Sequence, residues 1–211
     1  MQRRLAGKTA LVIGAGSPAG REIATQLAES GAKVIAAAVD IASLEGLTET
    51  GIAETLAMDV TDIASVYATA DAVGAPDILV HCDAYVHEGT VLDCDEVAWD
   101  YSFDVNVKAV HRSLRAFLPS MKEAGGGTIL NLVSADSDGK PSYAYRATTA
   151  AVAGLSEAVT EDFSEFGIHC RTISGEGKSP AELGGRTVDL LAGDSPFTAA
   201  PARAIEKQLS A

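Results

Sequence analysis

Basic residues are scarce in this chain: 16 Lys and Arg stand against 29 Asp and Glu in 211 residues, a formal net charge of −13 at pH 7. A surface of that sign repels phosphate backbones and acidic headgroups, which argues against general binding to nucleic acid or to a membrane surface. The acids are spread along the chain and form no tail, the pattern of a solubilising surface. Cysteine is limited to Cys82, Cys94 and Cys170, with no Cys-x-x-Cys pair. Reduced thiols and a cytoplasmic setting are the expectation. Long apolar runs are missing as well. After Arg3, Arg4 and Lys8, the run Ala10-Leu11-Val12-Ile13 is broken by Gly14, too short for a signal peptide, and no stretch is long enough to span a bilayer. Aromatics are only 5% of the chain, so the core must come from Ala, Val, Leu and Ile, which the 47% hydrophobic content supplies. No fixed-period repeat, low-complexity tract or linker divides the chain, so one domain over 1–211 is expected.

Short β-rich runs alternate with longer helical stretches. Strands are expected at 9–13, 33–37, 54–58, 77–81, 128–133 and 170–173, and helices at 19–29, 63–73, 99–123, 143–166 and 181–192. Several strands are continuously apolar, as strands covered on both faces must be. The reading is an α/β, Rossmann-like, doubly wound parallel sheet in three layers. Segment 196–211, with Pro201 inside it, reads as an irregular tail.

The first strand runs into Gly14-Ala15-Gly16-Ser17-Pro18-Ala19-Gly20 and then an amphipathic helix. Glycines at such a turn let the backbone approach a pyrophosphate, while the helix start presents free N–H groups. The same residues also read as a turn that merely packs strand on helix. Further along stand Asp59-Val60, Trp99, Asn106, Asn131-Leu132-Val133-Ser134 and Ala144-Tyr145. In this order the landmarks resemble those of the short-chain dehydrogenase/reductase family over about residues 6–195, with Ile13 and Pro18 replacing a Thr and a Gly of the family's glycine motif.

That resemblance implies an oxidoreductase cleft that takes NAD or NADP. It places Tyr145 as acid/base, Ser134 as the group that polarises the substrate oxygen and Asn106 in the proton relay. For the cofactor it implies Gly14, Gly16, Ser17, Gly20, Asp40, Asp59 and Val60. Four departures stand against it. The family's Lys, four places after the Tyr, is Thr149. A tyrosine ordinarily titrates near pH ~10, and lowering it by about three units corresponds to roughly 4 kcal/mol, which a neutral threonine does not supply. The family's Asn-Asn-Ala-Gly is His81-Cys82-Asp83-Ala84. The residues that select NAD or NADP fall at Ala38 and Val39, leaving Asp40 as a displaced ribose ligand. The substrate-covering insertion after the sixth strand is replaced by a short path from Ser174 to Pro180, and the family's Pro-Gly there reads Gly175-Glu176.

Two readings follow. One is a family member with an eroded site, inactive or very weak as a reductase, acting as a homodimer or as the non-catalytic partner of a homologous subunit. Its helices 99–123 and 143–166 would pair across the interface, the second offering Ala147, Ala150, Ala151, Ala153, Gly154, Ala158 and Val159 for close approach. The other is a working NAD(P)-dependent oxidoreductase on a small carbonyl or alcohol, using Tyr145, Ser134 and Asn106. No metal is expected. His81, Asp83 and His87 read as a strand end and a solvated loop, and Asp136-Ser137-Asp138-Gly139 as a turn rather than a calcium loop.

Overall fold

A computed structural model describes residues 3–133, 142–175 and 177–193. Its six strands, β1 Thr9–Ile13, β2 Lys33–Ala38, β3 Glu54–Ala57, β4 Ile78–His81, β5 Gly127–Val133 and β6 Ile168–Ser174, form one sheet in the order β3-β2-β1-β4-β5-β6. Every pairing is parallel. The chain therefore reverses its direction of winding between β1 and β4, the switch point where open α/β sheets hold their ligands.

The apolar runs are explained by the pleat. Ala10 and Val12 point to the face covered by α1 Pro18–Glu29 and α6 Pro180–Leu191, where they meet Ile23, Leu27, Leu183 and Val188. Leu11 and Ile13 point the other way, to α2 Ile63–Val73, α4 Ala109–Glu123 and α5 Tyr143–Phe163, against Val66, Phe117, Met121 and Val152. Both faces are dry, so neither face of these strands carries polar alternation. Among the described residues no helix is long and apolar enough to cross a membrane.

Helix ends follow their caps. Ser17 accepts from Gly20 N and precedes Pro18 at the first turn of α1, while Asp62 caps α2 by accepting from Ala64 N. Ser179 and Glu182 form a capping box at α6. The sequence predicts one helix over 99–123; the structure corrects this to α3 Glu96–Phe103, a π-helical turn Asp104–Lys108, and α4. The stretch 143–166 likewise ends its α-helix at Phe163 and closes in a 3₁₀ turn, Ser164–Phe166. Trp99 packs on Phe103 and Tyr143, with ring centroids 4.7 and 5.4 Å apart, and so ties α3 to the start of α5. The segments holding Ser134, the 136–139 turn and the expected tail lie outside the described residues.

Candidate active site at the switch point

The glycine loop follows β1 at the carboxyl edge of the sheet. Gly14 adopts φ +78°, a region that strains a side-chain-bearing residue. Ser17 Oγ donates to Gly14 O at 2.9 Å and accepts from Gly20 N at 3.1 Å, holding the turn closed onto α1. A Cβ on Gly20 would strike the Gly14 carbonyl, and one on Gly16 would strike the Ser43 side chain. The chain's own packing thus accounts for the glycines that sequence reasoning offers to a cofactor.

Beside this loop stands the segment after β4. Cys82 N donates to Ile13 O at 2.8 Å, which carries the β1–β4 pairing one residue further. Asp83 comes next, its Oδ1 2.7 Å from where a Cβ on Gly14 would be. Burial is the main cause, and the nearby Asp59 charge the second, that pushes the Asp83 carboxyl up to about 6. Asp59 itself is held below the usual carboxylate range by Thr61, whose hydroxyl and backbone N–H donate to Oδ1 at 2.6 and 2.8 Å. Its neighbour Val60 is buried and accepts from Arg112 Nη1 at 3.3 Å. Asp40 lies two residues past β2 and caps a 3₁₀ turn, with Oδ1 accepting from Ala42 N at 2.9 Å.

The nicotinamide end, by the resemblance, is a cleft between the edge of β4–β5 and α5. His81, Asp83, Asn106, Asn131, Tyr145 and Thr149 supply its polar lining. Tyr145 is buried on the first turn of α5. Asn106 reaches the cleft because the π-helical turn rotates it inward; such turns recur at functional sites. Its amide accepts from Tyr85 N at 2.7 Å and donates to Tyr85 O at 2.8 Å and Thr148 Oγ1 at 3.0 Å. Asn106 therefore fastens the loop after β4 to α5, and both of its amide hydrogens are used in doing so. Thr149 Oγ1 is buried without a hydrogen-bond partner.

His81 is the last residue of β4, within the strand expected at 77–81, only 4% exposed, with Nδ1 2.8 Å from Asn131 Oδ1. Burial pushes its pKa down to about 4, so the imidazole is neutral at physiological pH. The signal was present in the sequence: His81 shares the parity of Leu79, and that face is covered by helices. Asp83, in the loop that follows, is half-buried rather than fully solvated. Cys82 and Cys170 are buried, and burial raises both thiols, Cys170 to about 11. Among the described residues no group of three or more His, Cys, Asp or Glu could hold a metal ion.

Residues 8–177 match the model of the short chain dehydrogenase family. The chain belongs to this family. It is 43% identical over 196 residues to 2-keto-3-deoxy-L-fuconate dehydrogenase of Xanthomonas campestris pv. campestris, a match that takes in 90% of this chain and 65% of that one. It therefore spans just under two thirds of that relative's length. Dehydrogenase/reductase SDR family member 6 of Rattus norvegicus is 36% identical over 173 residues, 81% of this chain and 71% of the relative. The crystal structure of a short-chain type dehydrogenase/reductase from Mycobacterium marinum superposes with a TM-score of 0.83 at 25% identity, covering 92% of this chain and 91% of that one. This family is one of oxidoreductases that generally take NAD or NADP.

Proposed function

We propose that this short-chain dehydrogenase lacks the charge on which the family's proton transfer depends, is inactive or very weak as a reductase, and acts as a paired, non-catalytic subunit. One observation carries the reading. The described lining of the cleft holds a carboxylate, a neutral imidazole and hydroxyls, but no Lys or Arg. Thr149 brings no charge from the position of the family's lysine, and an ordinary tyrosine, titrating at about pH 10, is a poor base at neutral pH.

The residues fit a dinucleotide poorly. The Asp83 carboxylate lies against Gly14, at the turn where the anionic pyrophosphate would approach the sheet, and like charges there oppose binding. Thr149 offers no ammonium to a ribose hydroxyl, and the Asp40 carboxylate is engaged by Ala42 N. Tyr145 and Asn106 remain in the cleft, and the relatives named above are dehydrogenases. This supports the second reading, an NAD(P)-dependent oxidoreductase on a small carbonyl or alcohol through Tyr145, Ser134 and Asn106. Steady-state assays with NADH and NADPH against ketoses and 2-keto acids separate the two. The first reading expects no turnover above a no-enzyme blank; saturable turnover establishes the second.

The pairing has its own support in α5. Gly154 sits mid-helix, exposed, and nothing lies within 4 Å of where its Cβ would be. A glycine there costs about 1 kcal/mol relative to alanine, yet this chain's own packing gives no reason for it. Ala150 and Ala158 are exposed on the same helix, whereas Val159 packs into the chain's own core and drops out of the candidate interface. Gly154→Trp is expected to turn a dimer into a monomer by light scattering, with an unchanged far-ultraviolet spectrum. An unaltered mass would remove α5 from the interface.

A further inference from the structure

The glycine loop keeps donors for an anion. Of its backbone N–H groups, those of Gly14 and Ala15 donate to Ala37 O, Ser17 N to Gly14 O, Gly20 N to Ser17 Oγ and Arg21 N to Ser17 O. Gly16 N and Ala19 N have no acceptor among the described residues. Free N–H groups at a strand–turn–helix junction, at the positive end of α1, suit a nucleotide pyrophosphate. Against the same turn stands Asp83, its Oδ1 2.7 Å from where a Cβ on Gly14 would be. Its side chain is half-buried, and no described residue donates a hydrogen bond to its carboxylate.

The titratable groups around Asp83 do not relieve it. Asp59, after β3, is held ionised by Thr61 and repels it, and the Cys82 thiol is kept neutral by burial. His81, also neutral, and Tyr145 share its cleft. Of the nearby guanidinium groups, Arg21 donates to the Ser43 and Glu45 carbonyls, and Arg112 to Val60 O and the Asp104 carboxylate.

We infer that Asp83 is the residue that excludes dinucleotides from this loop and that it acts as a proton switch: the loop rejects a nucleotide pyrophosphate while Asp83 is ionised and takes one once Asp83 is protonated. The proton removes a negative charge from beside the turn and turns an acceptor into a donor, with no change in bulk. Because Asp59 stays ionised, a single proton is involved. With Asp83 pushed up to about 6, the switch falls just below neutral pH. The inference deepens the reading that the residues fit a dinucleotide poorly, but it concerns binding alone.

The test is calorimetric titration with ADP-ribose, which carries a pyrophosphate and has no group that titrates between pH 5.5 and 8, alongside adenosine, which has no phosphate. In the unaltered chain the affinity for ADP-ribose is expected to rise by about fiftyfold from pH 8 to pH 5.5, with proton uptake on binding near pH 7. Asp83→Asn keeps the bulk without the charge. It is expected to bind at pH 8 about as tightly as the unaltered chain does at pH 5.5, with little pH dependence and no proton uptake. Asp83→Ala should behave in the same way, and adenosine should show no comparable gain on acidification. A flat response in the variants also separates the switch from the general loss of negative charge on the protein at low pH. Failure of both folded variants to bind ADP-ribose at pH 8 would overturn the inference. So would an affinity of the unaltered chain that falls on acidification, the behaviour of a carboxylate that holds a ribose hydroxyl. Saturable reductase turnover at pH 8 would overturn the functional reading instead, and the ADP-ribose titrations decide the switch whichever way that assay falls.

Discussion

Asp83→Asn is expected to raise stability by about 3 kcal/mol at pH 8 and to change it little at pH 4. The half-buried Asp83 carboxyl has a folded-state pKa of about 6, against an ordinary 3.8. Its pKa is raised on folding, so its contribution to stability is full below pH ~4 and is lost as the pH rises through about 6. The shift of 2.2 units, the difference between those values, corresponds to about 3 kcal/mol. Asparagine keeps the shape and never ionises. For a chain of this size the gain amounts to about 6–12 °C in Tm. Urea titrations of both proteins at pH 4, 6 and 8 check it, and a difference that does not grow with pH would show that Asp83 is not desolvated as described.

His81 gives the opposite slope in the same window. Its folded-state pKa of about 4 lies below the ordinary 6.5. A depressed pKa contributes stability that is full above pH ~6.5 and lost as the pH falls through about 4. The difference between those values corresponds to roughly 3 kcal/mol. In the unaltered chain the two slopes nearly cancel between pH 4 and 6. Each variant exposes the other residue: Asp83→Asn should lose stability steeply on acidification, whereas His81→Asn should gain relative to the unaltered chain as the pH falls. The level of the His81→Asn curve also carries a packing cost, so the slope is the quantity to read. Parallel curves for His81→Asn and the unaltered chain would contradict a neutral, buried imidazole.

The sheet was legible in the sequence for a physical reason. Strands dry on both faces, such as Thr9–Ile13 and Ile78–His81, can hold only apolar residues along most of their length, and that is a local signal. Caps are local in the same way: Asp62, Ser17 with Pro18, and Ser179 with Glu182 act on backbone groups two or three places away. The π-helical turn at Asn106 is not. What it accomplishes, joining Asn106 to Tyr85 and Thr148, depends on chain 21 and 42 positions away.

The candidate site divides along the same line. That Thr149 stands where the family has lysine is visible in the letters alone. That its hydroxyl is buried without a partner, in a cleft it shares with the buried His81, required the packing of β4, β5 and α5. The glycine loop carries the reverse lesson. Its pattern suggests a phosphate cradle, but Gly14, Gly16 and Gly20 are each required by a neighbour within the chain, namely Asp83, Ser43 and the Gly14 carbonyl.

The central claim, that this cleft has lost the chemistry of a nicotinamide-dependent reductase, is tested most directly by calorimetric titration of the folded protein with NADH and NADPH at neutral pH. The account predicts no saturable heat for either at concentrations up to the low millimolar range. Binding tighter than about 100 μM, roughly −5.5 kcal/mol, would contradict it.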